Sequence, residues 1–302
     1  MRFVTFDYRG TPRIGLVTSN DRIIELHGAK AGSGHEFPAD MIGLIRESEW
    51  TIEAARHLGE TDPKNSIALA EVRLLAPIPR PLKNVFCVGR NYAAHAAEGA
   101  RAQGREVNLP TVPEFFTKPP TAVTGQGAQV PVDPAVTEKF DYEVELGVVI
   151  GKIGKNIPRA RALDHVFGFT ICNDFTARDL QRRHGQWFKG KGLDSSCACG
   201  PWIVHKSALP GFADLPIRLR VNGETRQNSR TSDLIFDVPT LIESLSAGLT
   251  LEPGDIISTG TPEGVGYAME PPRFLKPGDI VEAEIEGIGI LRNEIVAAPP
   301  RG

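Results

Sequence analysis

At 302 residues the chain is long enough to bury a full hydrophobic core and to hold one large domain with a smaller one attached. A formal net charge of -3 and a pI near 6.2 exclude the basic footprint that nucleic acid or an anionic membrane selects, and favour a small soluble partner. The segment Met1-Arg-Phe-Val-Thr-Phe-Asp7 lacks the apolar core of a secretory signal. No later apolar run approaches the roughly 20 residues of a membrane span, so a cytoplasmic location is expected. Cysteines at 87, 172, 197 and 199 show no Cys-x-x-Cys spacing and read as a buried, reduced set.

In chain order, Arg2 to Phe6, Arg13 to Val17 and Arg22 to Leu26 alternate with turn signals at Arg9-Gly10 and Ser19-Asn20-Asp21 and predict a small β meander. Two helices follow, Ala39 to Glu49 and Thr51 to Leu58, the second with Thr51 as its N-cap. No catalytic groups gather here, so residues 1–70 are expected to form an accessory α+β domain. The Pro77-Ile-Pro-Arg-Pro81 run stiffens a linker over residues 71–83, because each proline restricts itself and its predecessor. The main domain then occupies residues 84–302.

It opens with a buried-strand pattern, Asn84 to Gly89, and an Ala-rich segment, Arg90 to Glu98. His95 and Glu98 lie three apart, one helical face. A carboxylate beside an imidazole fixes its tautomer and raises its basicity, as a general base requires; a chance pair on an exposed helix is the plainer alternative. Residues 99–113 are polar, Gly- and Pro-punctuated and without periodicity, as in a loop that closes over a site. Lys118, before Pro119-Pro120, fits a pocket cation and a surface lysine equally.

The acidic run Phe140-Asp-Tyr-Glu143-Val-Glu145-Leu passes into the apolar Gly147-Val-Val-Ile150 and reads as one strand. Alternation puts Asp141, Glu143 and Glu145 on one side and Tyr142, Val144 and Leu146 on the other, with Glu143 and Glu145 about 7 Å apart. Like charges held so close raise each other's pKa or destabilise the fold unless a cation intervenes. A third acid, Asp174, ends the β-rich run from Val166. With a helix starting at Asp174, Arg178 and Gln181 would share its face. Carboxylates alone suit a hard ion such as Mg²⁺ or Mn²⁺ rather than zinc. Taken singly, each acid is more often a solvated strand face or an N-cap.

Farther on, Lys191 stands between Gly190 and Gly192, which let the backbone approach a ligand. His184 reads as structural. Asn222-Gly223 predicts a hairpin turn, Asp237 to Ala247 a helix with Pro239 in its first turn, and Pro253-Gly254 and Pro277-Gly278 turns that feed strands. Thr259-Gly-Thr-Pro-Glu-Gly-Val-Gly266 has neither Walker nor Rossmann spacing. Many short strands and few long helices give a β-rich α+β class.

Five ordered motifs, Gly89 to Glu98 (GRNYAAHAAE), FDYEVELGVVIG, Asn173 to Gln181 (NDFTARDLQ), Gly190 to Pro201 (GKGLDSSCACGP) and Leu251 to Gly266 (LEPGDIISTGTPEGVG), make the chain resemble the fumarylacetoacetate hydrolase family from about Pro77 to the end. The resemblance implies a mixed β-sandwich roll, a homodimer, and Glu143, Glu145 and Asp174 as ligands of Mg²⁺ or Mn²⁺. It implies catalytic roles for His95, Glu98 and Lys191, and substrate binding by Arg90, Arg178, Gln181 and Thr261. The implied substrate is a 2-oxo or 2,4-diketo acid. Hydrolysis of an acylpyruvate is the leading expectation; oxaloacetate decarboxylation, isomerisation of a 2-hydroxy-dienedioate, and a metal-binding scaffold with little turnover are the alternatives.

Overall fold

A computed structural model of the chain describes residues 1–30, 34, 36–47, 49–61 and 66–299. Strands β1 (Arg2–Tyr8), β2 (Thr11–Val17) and β3 (Arg22–Glu25) form the expected meander. Helices α1 (Met41–Arg46) and α2 (Glu49–Thr61) follow, then β4 (Ser66–Ala68) and β5 (Arg73–Leu74). The Asp40 side chain caps α1 by accepting from the Gly43 N–H, so the predicted 39–49 helix shortens to one capped segment; its Ser48 lies outside the described residues. Thr51 is not an N-cap. It sits inside α2, its hydroxyl donating to Glu47 at 3.1 Å.

The remaining chain contributes β6 (Val85–Gly89), α3 (Ala93–Ala102), β7 (Glu114–Lys118), β8 (Val123–Thr124) and β9 (Gln129–Val132). Next come β10 (Phe140–Asp141), β11 (Val144–Ile150), β12 (Val166–Asp174), β13 (Thr176–Ala177), α4 (Arg178–Arg183) and α5 (Phe188–Lys191). The chain closes with β14 (Cys197–His205), β15 (Pro216–Val221), β16 (Glu224–Arg230), α6 (Val238–Ser246), β17 (Ile256–Ser258), β18 (Ile280–Ile285) and β19 (Gly289–Ala297). The 222–223 turn has positive φ at both residues, 52° and 80°, as the Asn-Gly pair predicts.

Among the described residues there are two large open sheets, neither closed into a barrel, and a two-stranded β10-β13 ribbon. The larger runs β4-β3-β2-β1-β14-β12-β11-β17-β6-β7; the smaller runs β16-β15-β18-β19-β9. The accessory meander is hydrogen-bonded into the larger sheet, since β1 pairs antiparallel with β14 through Arg2 and Phe3. Thr5 also donates to the Pro77 carbonyl at 2.6 Å, which ties the proline-rich segment to the same strand. Fold class and smaller N-terminal unit therefore agree with the α+β, β-rich expectation.

Strand β11 shows how alternation builds the centre of the molecule. Val144, Leu146, Val148 and Ile150 enter the main core, where Phe169 and Ile171 of β12 meet Ile217, Leu219, Val281 and Ile285 of the smaller sheet. Val149, on the opposite face, joins a second core with Met41, Leu44 and Ile45 of α1. The strand is buried on both faces, so every odd position that is not apolar has to be satisfied from within the protein. Replacing Leu146 by Ala should lower stability by about 2–5 kcal/mol through the lost burial and the cavity left behind. Equilibrium denaturation checks this, and a loss below about 1 kcal/mol would mean that the two sheets collapse onto the gap.

Candidate active site

The acidic run is not one continuous strand. Asp141 Oδ1 accepts the Tyr142 N–H, and the Asn173 side chain accepts the Glu143 N–H, so the backbone leaves β13 as its partner and joins β12 two residues later. Alternation survives the break: Tyr142 lies in the main core, whereas Asp141, Glu143 and Glu145 gather on the other side with Asp174. Nor does a helix begin at Asp174. Its N–H continues the ladder to the Glu143 carbonyl, Thr176 pairs with Asp141, and α4 begins only at Arg178.

Oxygens of Glu143, Glu145 and Asp174 lie within 4.8 Å of one another, and all three residues are buried. Around them stand three buried cations. Lys191 Nζ is 2.6 Å from Glu143 Oε2 and 2.8 Å from Asp174 Oδ2. Lys118, fully buried, binds the other Asp174 oxygen and the Phe175 carbonyl, which settles its two readings for an interior cation. Arg178 Nε donates to Asp141 at 2.8 Å; its Nη2 lies 2.7 Å from Glu143 Oε1, near enough to pair but not aligned as a hydrogen bond. Four buried acids thus face three buried bases.

Glu145 is the acid without a cationic partner among the described residues. Its Oε2 accepts from Ser258 Oγ at 2.5 Å and from the Gly260 N–H at 2.9 Å. Burial, with Asp174 and Glu143 close by, pushes its carboxyl well above the ordinary range. Glu143 responds in the opposite direction. Burial pushes it up, but Lys191, Arg178 and His95 together outweigh this and hold it lowered to about 2. Burial alone would drive the Lys191 proton off; Asp174 and Glu143 reverse that and keep the ammonium charged. The donor set is all oxygen, clustered and short of positive charge, which fits a hard divalent cation.

The cluster forms the floor of a cavity of about 880 Å³ whose lining includes Arg90, His95, Gln181, Lys191, Thr261 and Tyr267. All ten predicted site residues except Glu98 and Asp174 line it, and those two sit directly behind it. His95 Nδ1 meets Glu98 Oε1 at 2.9 Å, while Glu98 Oε2 accepts the Gly264 N–H at 2.9 Å. Glycine is required there: φ is +100°, and a Cβ would lie 1.9 Å from the Arg226 carbonyl. The helix carrying the pair runs on to Ala102, into the stretch expected to be loop, because Arg101 and Ala102 are good helix formers.

Some predicted binding groups are occupied by the protein itself. The Thr261 hydroxyl donates to the Val144 carbonyl and accepts from Gln227 Nε2. Arg90 pairs with Glu114, and Arg178 stacks 4.4 Å over the Tyr267 ring. Gln181 Oε1 accepts from Arg178 Nη1 at 3.4 Å. Sequence reasoning gave no role to Asp141, Ser258 or Tyr267. Asp141 carried a signal, its place on the acidic face. Ser258 carried none, since only the β11–β17 register brings it to Glu145. The cysteines are free and buried as expected, Cys172 Sγ lying 3.6 Å from Cys199 Sγ on the paired strands.

Comparison with known proteins identifies the family. Residues 84–296 match the family described as Fumarylacetoacetate (FAA) hydrolase C-terminal, and residues 1–77 match Rv2993c-like, N-terminal. The chain is 46% identical over 304 residues to the oxaloacetate tautomerase YisK of Bacillus subtilis, covering 98% of this chain and 100% of that protein. The solved structure of a fumarylacetoacetate hydrolase from Exiguobacterium antarcticum superposes with a TM-score of 0.81 at 37% identity, covering 99% of this chain and 100% of that one. A 2-hydroxyhepta-2,4-diene-1,7-dioate isomerase from Mycobacterium marinum gives 0.73 at 33% identity, over 99% and 100% of the two chains. Matched by the family model over residues 84–296 and by these relatives over nearly its whole length, the chain is an enzyme that belongs to the fumarylacetoacetate hydrolase family.

Proposed function

We propose that the enzyme interconverts the keto and enol forms of a small 2-oxo dicarboxylic acid of the oxaloacetate class, with Glu143, Glu145 and Asp174 holding Mg²⁺ or Mn²⁺. The observation that carries this reading is the placing of a proton-transfer pair, His95–Glu98, on the wall of a cavity whose floor is three convergent carboxylates. The full-length 46% identity to an oxaloacetate tautomerase supports isomerisation ahead of the hydrolysis expected from the motifs. Both reactions need the same site; hydrolysis adds an attacking water.

When bound, the cation would draw electron density from the 2-oxo group and acidify the neighbouring C3–H. With Glu98 accepting a hydrogen bond from the Nδ1–H of His95, Nε2 is left as the basic nitrogen for the substrate. His95 takes the C3 proton, the C–H electron pair becomes the C2–C3 double bond, the C2–O π pair moves onto the 2-oxo oxygen, and the proton held by His95 is returned to that oxygen to complete the enol and restore the neutral imidazole. Lys191, held charged by Glu143 and Asp174, acts as a fixed positive charge toward developing negative charge, not as a base. The Gln181 amide N–H groups remain for a substrate carboxylate, because its carbonyl oxygen is spent on Arg178. Arg178 and Thr261 chiefly hold the floor in shape, and Arg90 stands farther out beside Glu114.

Incubation with Mg²⁺ and oxaloacetate, following enol absorbance and pyruvate in parallel, should show accelerated keto–enol relaxation without matching pyruvate release. Faster pyruvate formation from an acylpyruvate would replace this reading with the hydrolytic one. His95→Ala should cut turnover by about 10²–10⁴-fold while leaving Mg²⁺ affinity in place; an unchanged rate would remove His95 from the proton path. Because the raised Glu145 carboxyl must lose its proton to bind a cation, Mg²⁺ affinity should be full above that pKa and fall as pH drops through it. Calorimetric titration in buffers of different ionisation enthalpy reads the released proton, and identical heats in all buffers would contradict a protonated Glu145.

A further inference from the structure

Residues 264–267 touch the linings of two cavities: Tyr267 lines the active-site pocket, and Gly264 and Gly266 contact Tyr142, Arg226 and Arg273 of the second. This second cavity, of about 310 Å³, is lined by Tyr142, Asn222, Arg226, Arg273, Lys276 and Asp279 among others and shares no lining residue with the first. Arg226 is the unusual member. Its side chain is 6% exposed, its Nη2 lies 3.2 Å from Glu224, its Nη1 reaches the Met269 thioether at 3.1 Å, a weak acceptor, and the Tyr142 hydroxyl is a further neighbour. Its Nε is buried and has no hydrogen-bond partner. A buried guanidinium with a donor unmet is unfavourable, so this positive charge is incompletely satisfied by the protein around it.

The charge around it is also unbalanced. Glu224 is shared, taking two N–H groups of Arg273 at 2.7 and 2.9 Å besides its contact with Arg226. Asp279 spends Oδ1 on the Asn222 amide and Oδ2 on the Lys276 backbone N–H. The Lys276 ammonium forms no ion pair among the described residues. Three cations therefore meet two carboxylates that are already engaged.

We propose that this second cavity binds a small oxyanion, a phosphate or carboxylate group, through Arg226, Arg273 and Lys276. Guanidinium and ammonium side chains lining one concave site are what such groups require. The site also touches residues 264–267 at three points. The Arg226 carbonyl abuts Gly264, the Tyr142 hydroxyl donates to the Gly264 carbonyl at 3.0 Å, and the Arg273 N–H donates to the Gly266 carbonyl at 2.9 Å. Gly264 in turn donates its N–H to Glu98, the carboxylate that orients His95. An anion on Arg226 and Arg273 is thereby linked to the imidazole through one short stretch of backbone.

Inorganic phosphate and acetate, titrated separately into the metal-free full-length protein, test the proposal by calorimetry and by NMR of the His95 ring. Saturable binding at one site is expected for at least one of them, the tighter naming the class, together with a shift of the His95 ring signals. Lys276→Ala and Arg226→Met should each weaken binding by about tenfold or more, whereas Arg182→Ala, in the lining of the active-site pocket, should not. Lys276 is exposed, so K276A decides the matter even where R226M fails to fold. Absence of saturable binding, affinity unchanged in K276A, or weakening by R182A instead would overturn the site; binding with unmoved His95 signals would overturn its link to the imidazole.

Discussion

Four carboxylates and three bases share an interior from which water is largely excluded, and most of what is distinctive about this molecule follows from that crowding. Asp141, Glu143, Glu145 and Asp174 cannot all stay ionised against Lys118, Arg178 and Lys191 without a further positive charge. The imbalance falls on Glu145, which has hydroxyl and backbone donors but no base. A charge pattern of this kind is poor at stabilising a fold, since burying each ion costs on the order of several kcal/mol even after the protein relaxes around it. It is well suited to admitting a cation and an anionic substrate in succession.

The two-sheet architecture makes this concentration of charge tolerable. Strand β11 is anchored on one side by β12 and on the other by β17, and its even-numbered residues are locked in the main core. The carboxylates are thus held by a backbone that cannot relax away from them, which is how rigid elements keep a reactive group in place. Opposite this rigid floor, α3 supplies His95 and Glu98, pinned by one hydrogen bond from Gly264. Floor and wall come from segments far apart in sequence, and residues 264–267 hold both, through Glu98 and through Asp141.

Full-length relatives carry names for tautomerisation, hydrolysis and isomerisation. All three become intelligible on one site whose residues favour negative charge next to a keto carbon. What separates such reactions is the fate of that charge: reprotonation on oxygen or carbon, or release of a bond after attack by water. Arg178 and Thr261 illustrate how little of the polar inventory is free to choose among them, since both are tied to neighbouring protein groups.

Local pattern alone was enough to show that Glu143 and Glu145 share a side, that Val144 to Ile150 is buried, that Asn222-Gly223 turns a hairpin, and that His95 can touch Glu98. Each of these depends on periodicity or on φ preference within a few residues, quantities a sequence carries directly. Tertiary structure decided the rest. It broke the acidic strand at Tyr142, delayed the helix from Asp174 to Arg178, buried Lys118 against Asp174, and spent the Thr261 hydroxyl on Val144. Those outcomes are set by which strands become neighbours and in what register, and by a balance of charges summed over segments far apart in the chain, neither of which any local stretch of residues contains.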